Sequence, residues 1–201
     1  MRAVEWDPER EAAAQLKFWC ELSGEPGVLH ALFVESGESA AIDWIGLEPW
    51  TRSRAVTVAE VGSTISGPAL DIALCSDLVY LRRGVELRPS PGEVSAGLIW
   101  ALGRAGRAAL ARGLLDPTPL VANEAVRLGL AQRVLDDGES PMVPDEASVV
   151  ALSTARDLMR SSVGARSEIE LASFRLLFAS GDPGEGARAF FDRRSPEFNP
   201  R

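Results

Sequence analysis

VTVAEVGSTISGPALDIALCSDLVY, from Val56 to Tyr80, is the stretch on which the reading of this chain turns. Val56 to Val61 is a mostly apolar strand candidate, broken by Gly62, Ser63, Ser66, Gly67 and Pro68. An apolar run then reads as a short helix, and a second strand follows Asp77. A Gly-Pro pair at a helix start is physically consistent, because proline in the first turn gives up an N–H that has no intrahelical partner anyway. The remaining amides of that turn carry partial positive charge and suit a carbonyl oxygen that becomes an oxyanion during reaction. The stretch thus predicts strand, small-residue turn, helix and strand, with a candidate site at the helix start.

Composition bounds what surrounds this unit. The chain has 201 residues, 46% hydrophobic and 25% charged, enough to bury a real core in one globular unit. A net charge of −8 and a pI near 4.8 argue against the basic face of a nucleic-acid binder. The N-terminus has no apolar signal region and no apolar run is long enough to span a bilayer, so no membrane partner is expected. Cys20 and Cys75 lie far apart without CxxC or Cys/His spacing. They predict two reduced core thiols, no metal, and a cytoplasmic setting. His30 is the only histidine and has no nucleophile-elbow motif to serve.

Outward from the central stretch, Val4 and Trp6 predict a short strand. Asp7-Pro8-Glu9 reads as the start of a helix that carries Ala12, Leu16, Trp19 and Leu22 at helical spacing and ends between Gly24 and Gly27. Val28 to Val34 is a strand candidate, and the alternation of Ala41, Asp43 and Ile45 fits an edge strand. Arg104 to Leu115 and Asn123 to Leu130 predict helices, the second stopped by Gly129 ahead of a strand from Gln132 to Leu135. Asp136 to Glu146 is acidic and rich in turn formers, and divides a core (1–136) from a C-terminal helical region (137–201). Helices are expected there over Ala147 to Ser161, Arg166 to Ala179 and Gly184 to Arg193.

These words resemble the crotonase (enoyl-CoA hydratase/isomerase) superfamily, as a shortened and divergent member. The resemblance is carried by Gly67, Asp71 and Asp77, by ANEAVRLGLAQRVLD (122–136), and by the ending from Glu185 to Phe198 with its Arg-Ser-Pro-Glu-Phe tail. Pro68 and Ala69 stand where the family has further glycines. The resemblance implies an α/β fold, the ClpP/crotonase spiral of short β-strands and helices with a C-terminal helical part. It also implies an acyl-CoA ligand, with coenzyme A as part of the substrate and no permanently bound cofactor, and a homo-trimer or dimer of trimers.

Set against the family pattern, Gly67 falls on the glycine whose amide gives half of an oxyanion hole. Ile42, in Ala40-Ala41-Ile42-Asp43, falls on the other half. Asp71 falls where hydratases carry the first of two catalytic glutamates. Glu93, in Pro91-Gly92-Glu93-Val94 ahead of a Gly97-Leu98 turn, falls on the second acid, with Glu86 as its rival. Hydration of a double bond conjugated to a thioester needs two proton tasks, whereas isomerisation needs one group that moves a proton between carbons. Asp71 is shorter than glutamate by one methylene, roughly 1.5 Å, and misplacement by about 1 Å costs on the order of 100-fold in rate. Read from the residues alone, Asp71 equally serves as an acceptor for backbone amides or arginine, Glu93 as a solvated loop residue and Glu86 as a strand-surface charge. Two functions follow: an enoyl-CoA hydratase or isomerase-like enzyme, or a non-catalytic crotonase-fold binding or accessory subunit.

Overall fold

The structure, a computed structural model, describes residues 1–24, 27–34, 44–89, 96–116, 118–142, 148–160, 175–176 and 178–198. Its elements run β1 (Arg2–Glu5), α1 (Ala12–Ser23), β2 (Gly27–Phe33), α2 (Trp44–Thr51), β3 (Ala55–Val61), β4 (Ile65–Ser66), α3 (Gly67–Cys75), β5 (Leu78–Arg82), β6 (Glu86–Arg88), α4 (Ala96–Leu115), β7 (Leu120–Val121), α5 (Ala122–Arg127), β8 (Arg133–Leu135), α6 (Val149–Arg160) and α7 (Asp182–Asp192). Strands β1, β2, β3, β5 and β8 form one parallel sheet in that order, and β4, β6 and β7 form a second, smaller sheet. Every residue of β3 is buried, as expected for a central parallel strand with both faces covered.

The two faces of the large sheet carry different cores. Leu29, Ala31 and Phe33 point to the side packed by Leu16 and Trp19 of α1, Trp50 of α2 and the apolar face of α3. Val28, Val58, Tyr80 and Leu135 form a smaller cluster on the other side, against Leu152 of α6. Arg156 of α6 is buried there and donates to the Ala55 carbonyl at 2.7 Å. Cys75 is buried and Cys20 half-buried, and the two are not joined in a disulfide. Burial, reinforced by Glu21, pushes the Cys20 thiol up to about 11, which leaves it unreactive near neutral pH. No helix among the described residues is long and apolar enough to cross a membrane.

Three sequence expectations are corrected. Helix α1 begins at Ala12, not at Asp7: Asp7 accepts the Glu9 N–H at 3.0 Å and pairs with Arg10. The Gln15 side chain holds the Asp7 N–H and carbonyl at 2.9 and 2.7 Å. Asp-Pro-Glu is therefore a turn ahead of the helix. Ile45 lies in helix α2 and not in an edge strand, while Ala41 to Asp43 lie outside the described residues. Gly97 and Leu98 belong to the first turn of α4, which runs on to Leu115 through a kink at Gly106 (φ +77°). Leu98 and Ala101 are buried, so core burial extends the helix past the expected start.

At the other end, Gly129 stops α5 with φ +77° as the sequence predicts. The tail after α7 folds back on that helix. Arg194 and the Glu197 N–H both bond Oε1 of Glu185, at 2.7 and 2.9 Å. These bonds, the Arg194 one foremost, hold the Glu185 carboxyl well below its ordinary value of 4.5, at about 2. A carboxyl depressed in the folded state stabilises it fully above its unfolded value, and that contribution is lost as pH falls through the folded value. The clamp is expected to hold at pH 5 and to release between about 4.5 and 2. A carbon-detected NMR titration of the Glu185 carboxyl reads this directly, and a midpoint near 4.5 contradicts it.

Candidate active site

Helix α3 starts at the carboxyl edge of the large sheet, where open α/β sheets place their ligand sites. Strand β3 ends at Val61, and the Gly62 N–H donates to the Phe33 carbonyl at 2.7 Å, fastening the turn to the end of β2. Ser66 is extended and makes no side-chain cap, and Gly67 takes φ +52°. That left-handed conformation is cheap only for glycine. Among the described residues, a Cβ on Gly67 would meet nothing within 4 Å, so they leave open space at this position. Pro68 supplies no N–H, which leaves Gly67, Ala69 and Leu70 as the donors of the opening turn.

Asp71 and Asp77, the two aspartates of the central stretch, are both engaged. Asp77, just past α3, accepts the Thr57 N–H at 2.9 Å and the Thr57 hydroxyl at 3.0 Å, and so ties the end of the helix to the start of β3. Asp71 is buried on α3, and its Oδ1 accepts the Gly97 N–H of α4 at 3.0 Å. This is the backbone-acceptor arrangement that the sequence left open beside the catalytic one. Sequence reasoning missed its partner, because Gly97 reads as a turn. The signal available was the glycine itself: a Cβ there would lie 2.6 Å from the Asp71 Cα, so the helices meet backbone to backbone.

Glu86 lies on β6, half-buried, with its carboxylate on Arg88 at 2.9 Å, the surface-charge arrangement. It lines a polar cleft of about 410 Å³ with Arg83, Asn123 and Asp136. Glu93 and Ile42 lie outside the described residues. A cavity of about 670 Å³ opens at the end of β1, lined by Trp6, Arg10, Gln15, Phe18, Trp19 and Val34. Its volume suits a small-molecule site. Val34 also approaches Gly62, since a Cβ there would sit 3.7 Å from the Val34 side chain, and this links the cavity wall to the turn that leads into α3. No group of three or more potential metal ligands occurs among the described residues.

A parallel sheet with a glycine-initiated helix at its carboxyl edge defines an α/β protein. The architecture matches solved enzymes over nearly its whole length. The enoyl-CoA hydratase of Bacillus anthracis superposes with a TM-score of 0.80 at 13% identity, over 99% of this chain and 95% of that one. An enoyl-CoA hydratase/isomerase from Cupriavidus metallidurans CH34 gives 0.75 at 18%, over 98% and 89%. This chain is a crotonase-fold protein. An Amycolatopsis orientalis enoyl-CoA-hydratase is 30% identical over 109 residues, 52% of this chain; the match spans half of that relative's length. No family model matches the sequence.

Proposed function

We propose that the protein acts on an acyl-CoA thioester as an enoyl-CoA hydratase or isomerase-like enzyme of the crotonase superfamily. The observation that carries the reading is the start of α3: Gly67 at φ +52°, faced by open space, at the carboxyl edge of a crotonase-fold sheet. The Gly67 N–H, with that of Ile42, polarises the thioester carbonyl and stabilises the charge that develops on its oxygen. Glu93 carries the proton, and Asp71, in the second turn of α3, shapes the site from below. Coenzyme A belongs to the substrate, and the exposed ring of Phe18 and the guanidinium of Arg10 at the cavity suit its purine and phosphates. Assembly as a trimer or dimer of trimers, with residues 137–201 on the contact side, completes the reading. It would cover Phe190 and Phe191, which are 79% and 82% exposed on α7.

One observation favours a second reading, a non-catalytic acyl-CoA-binding or accessory subunit: Pro68 removes an amide from the turn that would hold the oxyanion. Thermal shift with CoA, acetyl-CoA and crotonyl-CoA, followed by a hydration and isomerisation assay, separates the two. A ligand at 100 times its Kd is expected to stabilise the fold by about 2.7 kcal/mol, roughly 5–10 °C for a chain of this size. The shift is expected to vanish in Gly67→Trp. Binding without turnover of crotonyl-CoA, or no shift with any of the three from a folded protein, transfers the case to the second reading.

A further inference from the structure

We infer that Asp71 is a positioning residue that pins the first turn of α4 onto α3, and that it serves the reaction through that turn and not by exchanging a proton itself. The inference rests on the acyl-CoA reading above for its consequence, and on three observations for its geometry. Asp71 is only 6% exposed, although aspartate is among the residue types least often buried. Its Oδ1 takes the Gly97 N–H at 3.0 Å, one of the amides that a helix start leaves without an intrahelical partner. An anionic acceptor at that end also meets the positive pole of α4.

The packing around this bond leaves little freedom. Besides the Asp71 Cα, a Cβ at position 97 would lie 2.7 Å from the Asp71 carbonyl oxygen. Only backbone therefore fits between the two helices at this point, and the Asp71 carboxylate bonds the turn across it. Leu98, next in the chain, is buried in the main core, so the turn is held from both sides. Glu93 precedes Gly97 by four residues. The position at which the chain enters α4, four residues after Glu93 in the sequence, is set where Asp71 holds Gly97.

Asparagine separates position from proton exchange, because it keeps an oxygen acceptor at Oδ1 and cannot take part in acid–base chemistry. The full-length protein and its Asp71→Asn, Asp71→Ala, Gly97→Ala and Glu93→Gln variants are compared by amide hydrogen exchange over the first turn of α4. Crotonyl-CoA turnover across pH is measured in parallel. Asp71→Asn is expected to keep α4 exchange near wild type, to keep kcat within about fivefold and to leave the shape of the pH profile unaltered. Asp71→Ala and Gly97→Ala are expected to speed exchange in that turn at least tenfold and to lower kcat on the order of 100-fold, the loss a shift of about 1 Å produces. Glu93→Gln is expected to abolish turnover with exchange unchanged.

If Asp71→Asn instead loses about 100-fold or more in kcat, the size of a general acid–base contribution, and drops a limb of the pH profile while α4 exchange stays put, Asp71 is the proton carrier and the inference is wrong. If no protein binds or turns over acyl-CoA, the functional reading alone fails. The positional claim is then decided by exchange, and wild-type protection in Asp71→Ala overturns it. Should Asp71→Ala not fold, the asparagine variant decides in both directions.

Discussion

Trp19→Ala is expected to remove about 3–5 kcal/mol of stability, the range for deleting a large aromatic from a packed core. Trp19 projects from α1 into a cluster with Trp6, Phe33 and Trp50. Its ring lies 6.1 Å from Trp6, 5.9 Å from Phe33 and 5.9 Å from Trp50, the first two edge-on. It thereby joins the end of β1, the carboxyl end of β2, and α2. Edge-to-face pairs add about 0.5–1.5 kcal/mol each beyond the area they bury. The cluster must also offset its own defects, since the indole N–H groups of Trp6 and Trp50 are buried without hydrogen-bond partners. Each such group costs about 1–3 kcal/mol. Against a total stability of about 5–15 kcal/mol, the loss is a large share, and it corresponds to a fall in Tm of roughly 6–20 °C. Trp19→Phe, which keeps a ring in place, is expected to lose less than half as much. A fall of under about 2 °C for the alanine variant, in calorimetry at neutral pH, contradicts the central role of this ring.

The parts of the fold legible in the sequence were those set by local chemistry. Gly67-Pro68 followed by a run that is apolar except for Asp71 specifies a helix start and a buried helix, and α3 spans Gly67–Cys75. Gly129 likewise marks its helix stop. What failed to show were features set by residues distant in the chain. Asp7-Pro8 has the composition of a cap, yet Gln15 claims the Asp7 backbone from α1 and makes it a turn. Gly97-Leu98 reads as a turn because the carboxylate that caps it, Asp71, belongs to another helix. Thr57 and Glu60 are the polar residues of an otherwise apolar strand, and both are buried. Their polar atoms are met by Asp77 and Arg82, from beyond α3. Within the candidate site, Gly67 opens α3 and Asp71 is buried in its second turn. The Asp71–Gly97 contact did not show, because a backbone-to-backbone crossing leaves only a glycine as its trace.

Glu60→Ala is expected to cost about 3 kcal/mol, the low end of the range for breaking a buried ion pair by removing one partner. Glu60 sits one residue before the end of β3. Its Oε1 accepts from Arg82 Nε at 2.9 Å, and its Oε2 lies 3.1 Å from His30 Nε2, within ion-pair range but outside hydrogen-bond geometry. The glutamate side chain is 8% exposed and the arginine 25%. Water at the guanidinium therefore keeps the effect from the upper end. Arg82 also donates to the carbonyls of Asp136 and Glu139, at 2.8 and 2.6 Å, so that one guanidinium joins β3 to the turn after β8. Removing both charges, as in Glu60→Leu with Arg82→Met, is expected to recover part of the loss, because no uncompensated charge stays behind. Recovery is incomplete, since the two carbonyls lose their donor. A double-mutant cycle should give a coupling of at least about 1 kcal/mol, and additivity within about 0.5 kcal/mol would mean the pair does not act as a unit. Val61 and Gly62 follow Glu60 directly and lead into Gly67, so the single alanine variant is also expected to weaken the acyl-CoA thermal shift, and the paired variant to restore it in step with stability.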